Sequence, residues 1–121
     1  MANEITMSGN LLYAKGNSSI ELKTNQLQVD VSGTNFVHHR QGIGTSEEAL
    51  VLGEVATLGF MIVINRDATN FVELRPATGG VDLIKLKAGE MAMFRWADGV
   101  TAPFALANTG ACEIEYILLE N

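Results

Sequence analysis

Apolar and polar residues alternate one for one across residues 27–32, where Leu27, Val29 and Val31 interleave with Gln28, Asp30 and Ser32. That period of two puts the apolar set on one side of an extended strand. The alternation returns near the end of the chain. Cys112, Ile114, Tyr116 and Leu118 share one face, while the other starts acidic at Glu113 and Glu115 and ends apolar at Ile117 and Leu119. Residues 60–64 have no polar position at all, which predicts a central strand covered on both sides. Over residues 91–96, Ala92, Phe94 and Trp96 fall on one face, and Met91, Met93 and Arg95 on the other. Shorter runs at 19–23, 36–39, 71–75, 83–87 and 104–107 bring the total to about nine strands.

Turn formers punctuate these runs. Gly79-Gly80 suits a hairpin between 71–75 and 81–87, and Ala88-Gly89-Glu90 joins that stretch to the next strand. Asn65 to Asn70 forms a connection rich in turn residues, and Asn108-Thr109-Gly110 precedes the last strand. Only residues 45–50 resemble a capped helical turn, with Thr45 or Ser46 as N-cap and Glu48 reaching back. Strand starts spaced by 8–12 residues, with Gly at the breaks, predict an all-β antiparallel sandwich or barrel with at most one helical turn. The expected organisation is an N-terminal arm over 1–10 and a single β-sandwich domain over 11–121.

Composition narrows what such a domain does. Of the 121 residues, 47% are hydrophobic and only 18% charged, and eight basic against fourteen acidic side chains leave −6. No four basic residues cluster, so no stripe could follow a phosphate backbone, and an acidic chain is poorly suited to anionic lipid. Neither nucleic acid nor a membrane is an expected partner. The start, MANEITMSGN, has neither the basic nor the apolar region of a signal peptide. The lone Cys112 cannot form an intramolecular disulfide, and its place on an apolar strand face predicts an inert buried thiol.

The chemical candidates are few. His38 and His39 are neighbours on a strand and point to opposite faces, so they do not converge on a metal. Glu47, Glu48, Glu54 and Asp67 read as solvated turn carboxylates rather than a hydrolytic pair or a calcium loop. Gly42-Ile43-Gly44-Thr45-Ser46 lacks the lysine and long helix of a phosphate-binding loop, and no GxSxG elbow exists. Trp96, Tyr13 and Phe104 could stack on a sugar, although Trp96 shares its face with Phe94, which favours core packing. No catalytic constellation, cofactor or metal is expected, so the chain reads as non-enzymatic.

The run Gly42 to Leu50, then Leu58-Gly59-Phe60, Asn65 to Val72, Leu86 to Glu90 and the closing Ile114-Glu115-Tyr116 resembles small virion structural proteins of tailed bacteriophages. The likeness extends over nearly the whole chain, including the plain start MANEIT. It implies a jelly-roll-like sandwich, made in the host cytoplasm and located on the virion. The role it implies first is a capsid decoration or cement protein that binds the major capsid shell or a neighbouring virion protein. Self-association as a homo-oligomer, with a trimer favoured, goes with that role. A small tail, baseplate or fibre-base protein is the alternative within the class, and a carbohydrate-binding module is the alternative outside it. Expected partner contacts are Ala2, Asn3, Glu4, Ile5, Thr6, Met7, His38 and His39. Gly59, Asp67, Asn70 and Gly89 are expected to be structural turn residues. Apolar residues on both faces of several strands exceed what two sheets can cover, so subunit contacts should cover the rest.

Overall fold

A computed structural model describes residues 4–121, in which every regular element is a strand. The strands are β1 (Ile5–Met7), β2 (Asn10–Lys15), β3 (Ser18–Lys23), β4 (Leu27–Val29), β5 (Phe36–Ile43), β6 (Glu48–Ala49), β7 (Leu58–Asn65), β8 (Val72–Arg75), β9 (Ile84–Leu86), β10 (Met91–Arg95), β11 (Phe104–Ala107) and β12 (Cys112–Glu120). The nine expected strands are all present, and β1, β2 and β6 are additional. The chain forms two compact units, one ending at Ser32 and the other spanning Gly33–Asn121. Residues 4–10 of the expected arm fall within the first of these units. Ile5–Met7, read from the sequence as part of an arm outside the strand pattern, pairs with Leu27–Val29.

The first unit is a two-stranded ribbon. β1 pairs antiparallel with β4, and β2 with β3. Gly16 and Asn17 form the two-residue loop between β2 and β3. Gly16 sits at φ +58°, a conformation that glycine adopts without the clash a side chain would bring.

The second unit is an antiparallel sandwich of two four-stranded sheets, ordered β10-β7-β12-β5 and β6-β11-β8-β9. Numbered first to eighth within the sandwich, the strands run 6-3-8-1 and 2-7-4-5. First pairs with eighth, second with seventh, third with sixth and fourth with fifth, as in a long hairpin rolled over itself. This is jelly-roll connectivity. The chain changes sheet at every connection but one, the β8–β9 hairpin.

Inward-pointing residues of the two sheets make the core. Met61, Val63, Ile114, Tyr116 and Leu118 of one sheet are buried, as are Val72, Leu74, Leu86, Ala105 and Ala107 of the other. Trp96 is buried at the end of β10, where its ring meets Phe94 edge-on at 5.0 Å and its indole N–H donates to Met61 Sδ. Gly59 opens β7 where the end of β12 comes closest. A Cβ there would lie 2.9 Å from the backbone of Leu119 and Asn121.

No helical turn forms at residues 45–50. Glu48 does reach back, its carboxylate accepting from Gly44 N–H at 2.6 Å. The backbone is extended, because Glu48–Ala49 pairs with Phe104–Ala105 and Leu50 N–H donates to Pro103 O. Tertiary pairing overrides the local signal.

Candidate functional site

Two packed sheets cover one face each, so the outward face of each sheet has to be read separately. On the β6-β11-β8-β9 sheet, the outward row of Leu106, Glu73 and Lys85 lies beside Phe104 and Arg75. Charges dominate there. Arg75 lies between two carboxylates, Glu47 at 2.7 Å and Asp82 at 2.6 Å. Glu47 also accepts from the Thr78 hydroxyl and the Gly79 N–H, and these bonds, with Arg75, hold its carboxyl below the usual range.

The β10-β7-β12-β5 sheet is different. Register places Met93, Ile62, Ile117 and His38 in one outward row, and Met91, Ile64, Glu115 and Arg40 in the next. Arg95 pairs with Phe60, and Leu119 with Phe36, toward the other end. The middle of this face is thus apolar across all three strands from β10 to β12. Phe36, Met91 and Ile117 are exposed, and Phe60, Ile62, Ile64, Met93 and Leu119 are only half-buried. The expected cover over both sides of β7 is absent from the second unit: one side meets the core and the other lies open.

A charged corner borders the apolar area. Arg40 bonds Glu113 at 2.7 Å, and Glu115 takes His38 at 2.8 Å and Arg66 at 2.9 Å. The His38 hydrogen bond, then that of Arg66, keeps the Glu115 carboxyl below the usual range. Pairs this exposed add little stability. A shallow depression of about 120 Å³ joins the two areas, with Ile62, Ile64 and Ile117 on one side and His38, Arg66 and Glu115 on the other.

Comparison with family models, curated proteins and solved structures returns no match.

The structure places the residues singled out from the sequence as follows. Ala2 and Asn3 lie outside the described residues. Glu4 accepts from Val31 N–H at 3.0 Å, Ile5 is buried, and Thr6 and Met7 pair with Gln28 and Leu27. His38 stands on the open face, whereas His39 points inward and meets the Tyr116 ring edge-on. Asp67 Oδ2 accepts from the N–H groups of Asn70 at 2.6 Å and Thr69 at 3.0 Å, which lowers its pKa. Asn70 enters the turn through its backbone, also giving its carbonyl to Asn65 Nδ2. Gly89 has φ +81°. Cys112 is buried, and burial, then the nearby charge of Asp67, pushes its thiol up. Trp96, weighed for sugar stacking, is inside the core. Among the described residues no three His, Cys, Asp or Glu side chains gather as a metal site. A cleft of about 340 Å³ beside residues 97–101 has Asp98 as its one charged lining residue.

Sequence reasoning missed the polar clamps, because their partners lie far along the chain. Glu120 accepts from the N–H groups of Ala56, Thr34 and Asn35 at 3.1–3.2 Å. Asn65 is fully buried and fully bonded: Nδ2 donates to Asn70 O and Leu86 O, and Oδ1 accepts from Asp67 N–H. The Tyr116 hydroxyl donates to Val51 O at 2.7 Å and lies 2.9 Å from Gln41 Oε1.

Proposed function

We propose that this protein is a non-enzymatic virion structural protein, a capsid decoration or cement protein of a tailed bacteriophage that works as a homo-oligomer. The observation that carries the reading is the open apolar face of the β10-β7-β12-β5 sheet, bordered by the Arg40, Glu113, Glu115, His38 and Arg66 corner. Contiguous apolar surface on a soluble domain marks an interaction site, and here charge at one edge can set orientation. The jelly-roll topology is compatible with it. Since the same topology also serves lectins and cupins, the fold contributes by analogy alone. Burial of Trp96 removes one of the aromatics on which a glycan-binding alternative rested, while Tyr13 stays exposed on β2.

The test mixes purified protein separately with phage shells and with tails. Stoichiometric, saturable binding to the shell is the expected result. Binding confined to a vertex or a tail would replace the cement role with a tail or fibre-base role. Binding to neither particle would overturn the virion assignment.

A further inference from the structure

The two-stranded ribbon Ile5–Val29 carries a second apolar surface, independent of the sheet face. Directly paired residues of an antiparallel ladder point to the same side. In β2 and β3 these pairs are Leu11 with Leu22 and Tyr13 with Ile20 on one side, and Leu12 with Glu21 and Ala14 with Ser19 on the other. One side is therefore apolar over both pairs, and the other is mixed. The four apolar side chains are among the most exposed of their kind: Leu11 at 65%, Tyr13 at 49%, Ile20 at 68% and Leu22 at 73%.

The ribbon is built to keep this face in phase. Met7 pairs with Leu27 and Asn10 with Lys23, so Ser8 and Gly9 on one strand oppose Thr24, Asn25 and Gln26 on the other. The extra residue is a β-bulge. Without it, a strand that turns even-numbered Ile20 and Leu22 to one side would turn odd-numbered Leu27 and Val29 to the opposite side. With it, both sets stay beside their partners Tyr13, Leu11, Met7 and Ile5. A hydrogen bond from Thr24 N–H to Gly9 O and another from Gly9 N–H to Thr24 Oγ1 hold the bulged region together.

We propose that this apolar face is the self-association surface, and that its partner is the same face of a second copy of the chain. Two arguments select that occupant. A two-stranded ribbon is marginally stable in water by itself, so its cover has to be present when the chain folds, before any shell is met. Another copy is the component always present then. The second argument is area. With Leu27, exposed at 48%, the four residues leave at most about 500 Å² of apolar surface per copy, so complete mutual burial of two faces removes about 1,000 Å². That is where specific interfaces begin. The contact is also free of buried charge, since Lys15 sits at the loop end and Glu21 and Lys23 on the other side.

This inference deepens the homo-oligomer part of the proposed function and rests on that reading only in expecting a second copy. Light scattering on the full chain should give a multiple of 13.0 kDa. Leu22→Glu should reduce the mass to one chain while Trp96 emission, which reports the sandwich core, stays the same. A wild-type protein of single-chain mass at micromolar concentration, or a variant that keeps the wild-type mass, overturns the inference. Amide exchange on the wild type covers the case in which the variant does not fold. Protection in β2 and β3 should fall at least tenfold on dilution through dissociation, and protection unaffected by dilution counts against the proposal. Shell binding separates the two ideas. A single-chain protein that binds shells removes the ribbon interface and leaves the cement role, whereas an oligomer that ignores shells does the reverse.

Discussion

Single residues in this protein do most of their work by joining segments remote in sequence. Gly59 is the clearest, since the backbone of Leu119 and Asn121 occupies the space a side chain would need. Backbone atoms cannot swing aside as a flexible side chain can. Gly59→Ala should therefore cost about 1–3 kcal/mol in urea unfolding, the usual range for overpacking. Asn65 holds two turns through its side chain, bonding the 65–70 connection and the carbonyl of Leu86 at once. Asn65→Leu would bury those partners unpaired, at about 1–3 kcal/mol for each group left unsatisfied. A loss below 1 kcal/mol would mean that water or a local shift satisfies them. Tyr116 works on the alkaline side. Burial raises its hydroxyl from 10.0 to about 12. A pKa raised in the folded state gives stability that is complete below pH 10 and is lost as pH rises toward 12. Thermal melts of the wild type should show that loss, and Tyr116→Phe, with no proton to lose, should flatten it.

At the level of elements, β12 is an interior strand, paired with both β7 and β5, and a main carrier of carboxylate contacts. Glu115 near its middle and Glu120 at its end are held below the ordinary value of 4.5, Glu120 chiefly by the N–H groups of Ala56 and Asn35. Glu47 and Asp67 are lowered as well. A depressed carboxyl contributes stability that is present above its unfolded pKa and is lost as pH falls through its folded one. Stability should thus decline below about pH 4.5, and Glu120→Gln should make the acid limb shallower. An unchanged acid limb would show that folding does not lower the Glu120 carboxyl.

The strands legible in advance were those whose pattern is a property of one segment: alternation in β4 and the first half of β12, unbroken apolarity in β7. β2 escaped because Leu11-Leu12-Tyr13 breaks the alternation, and β6 because two residues become a strand only when β11 supplies the pairing. The residues of the open sheet face were visible as an apolar excess. Which side of β7 and β12 would lie open was not, because that depends on which sheets pack together. The ribbon face was hidden by the same Leu11 to Tyr13 run, and by a bulge that shifts the parity of its second strand.

For the molecule as a whole, low charge and an apolar excess resolve into two surfaces with different contents. The ribbon face is apolar with charges kept off its middle, suited to identical copies. The sheet face carries a charged corner, which suits a partner of definite orientation. A homo-oligomer would present several sheet faces at once, so that individually weak contacts combine on a repetitive shell. This division yields a test in which the sheet face is changed alone. Ile62→Gln with Met93→Gln alters two neighbours in one outward row and leaves the core side of β7 and β10 intact. The pair should lower shell affinity at least tenfold, about 1.4 kcal/mol, without altering the light-scattering mass. Lys85→Gln, on the charged sheet, should change neither. Should the Ile62 and Met93 pair leave shell binding intact, the docking surface lies elsewhere. Should it also dissociate the oligomer, the sheet face joins the copies and the division of labour between the two surfaces fails.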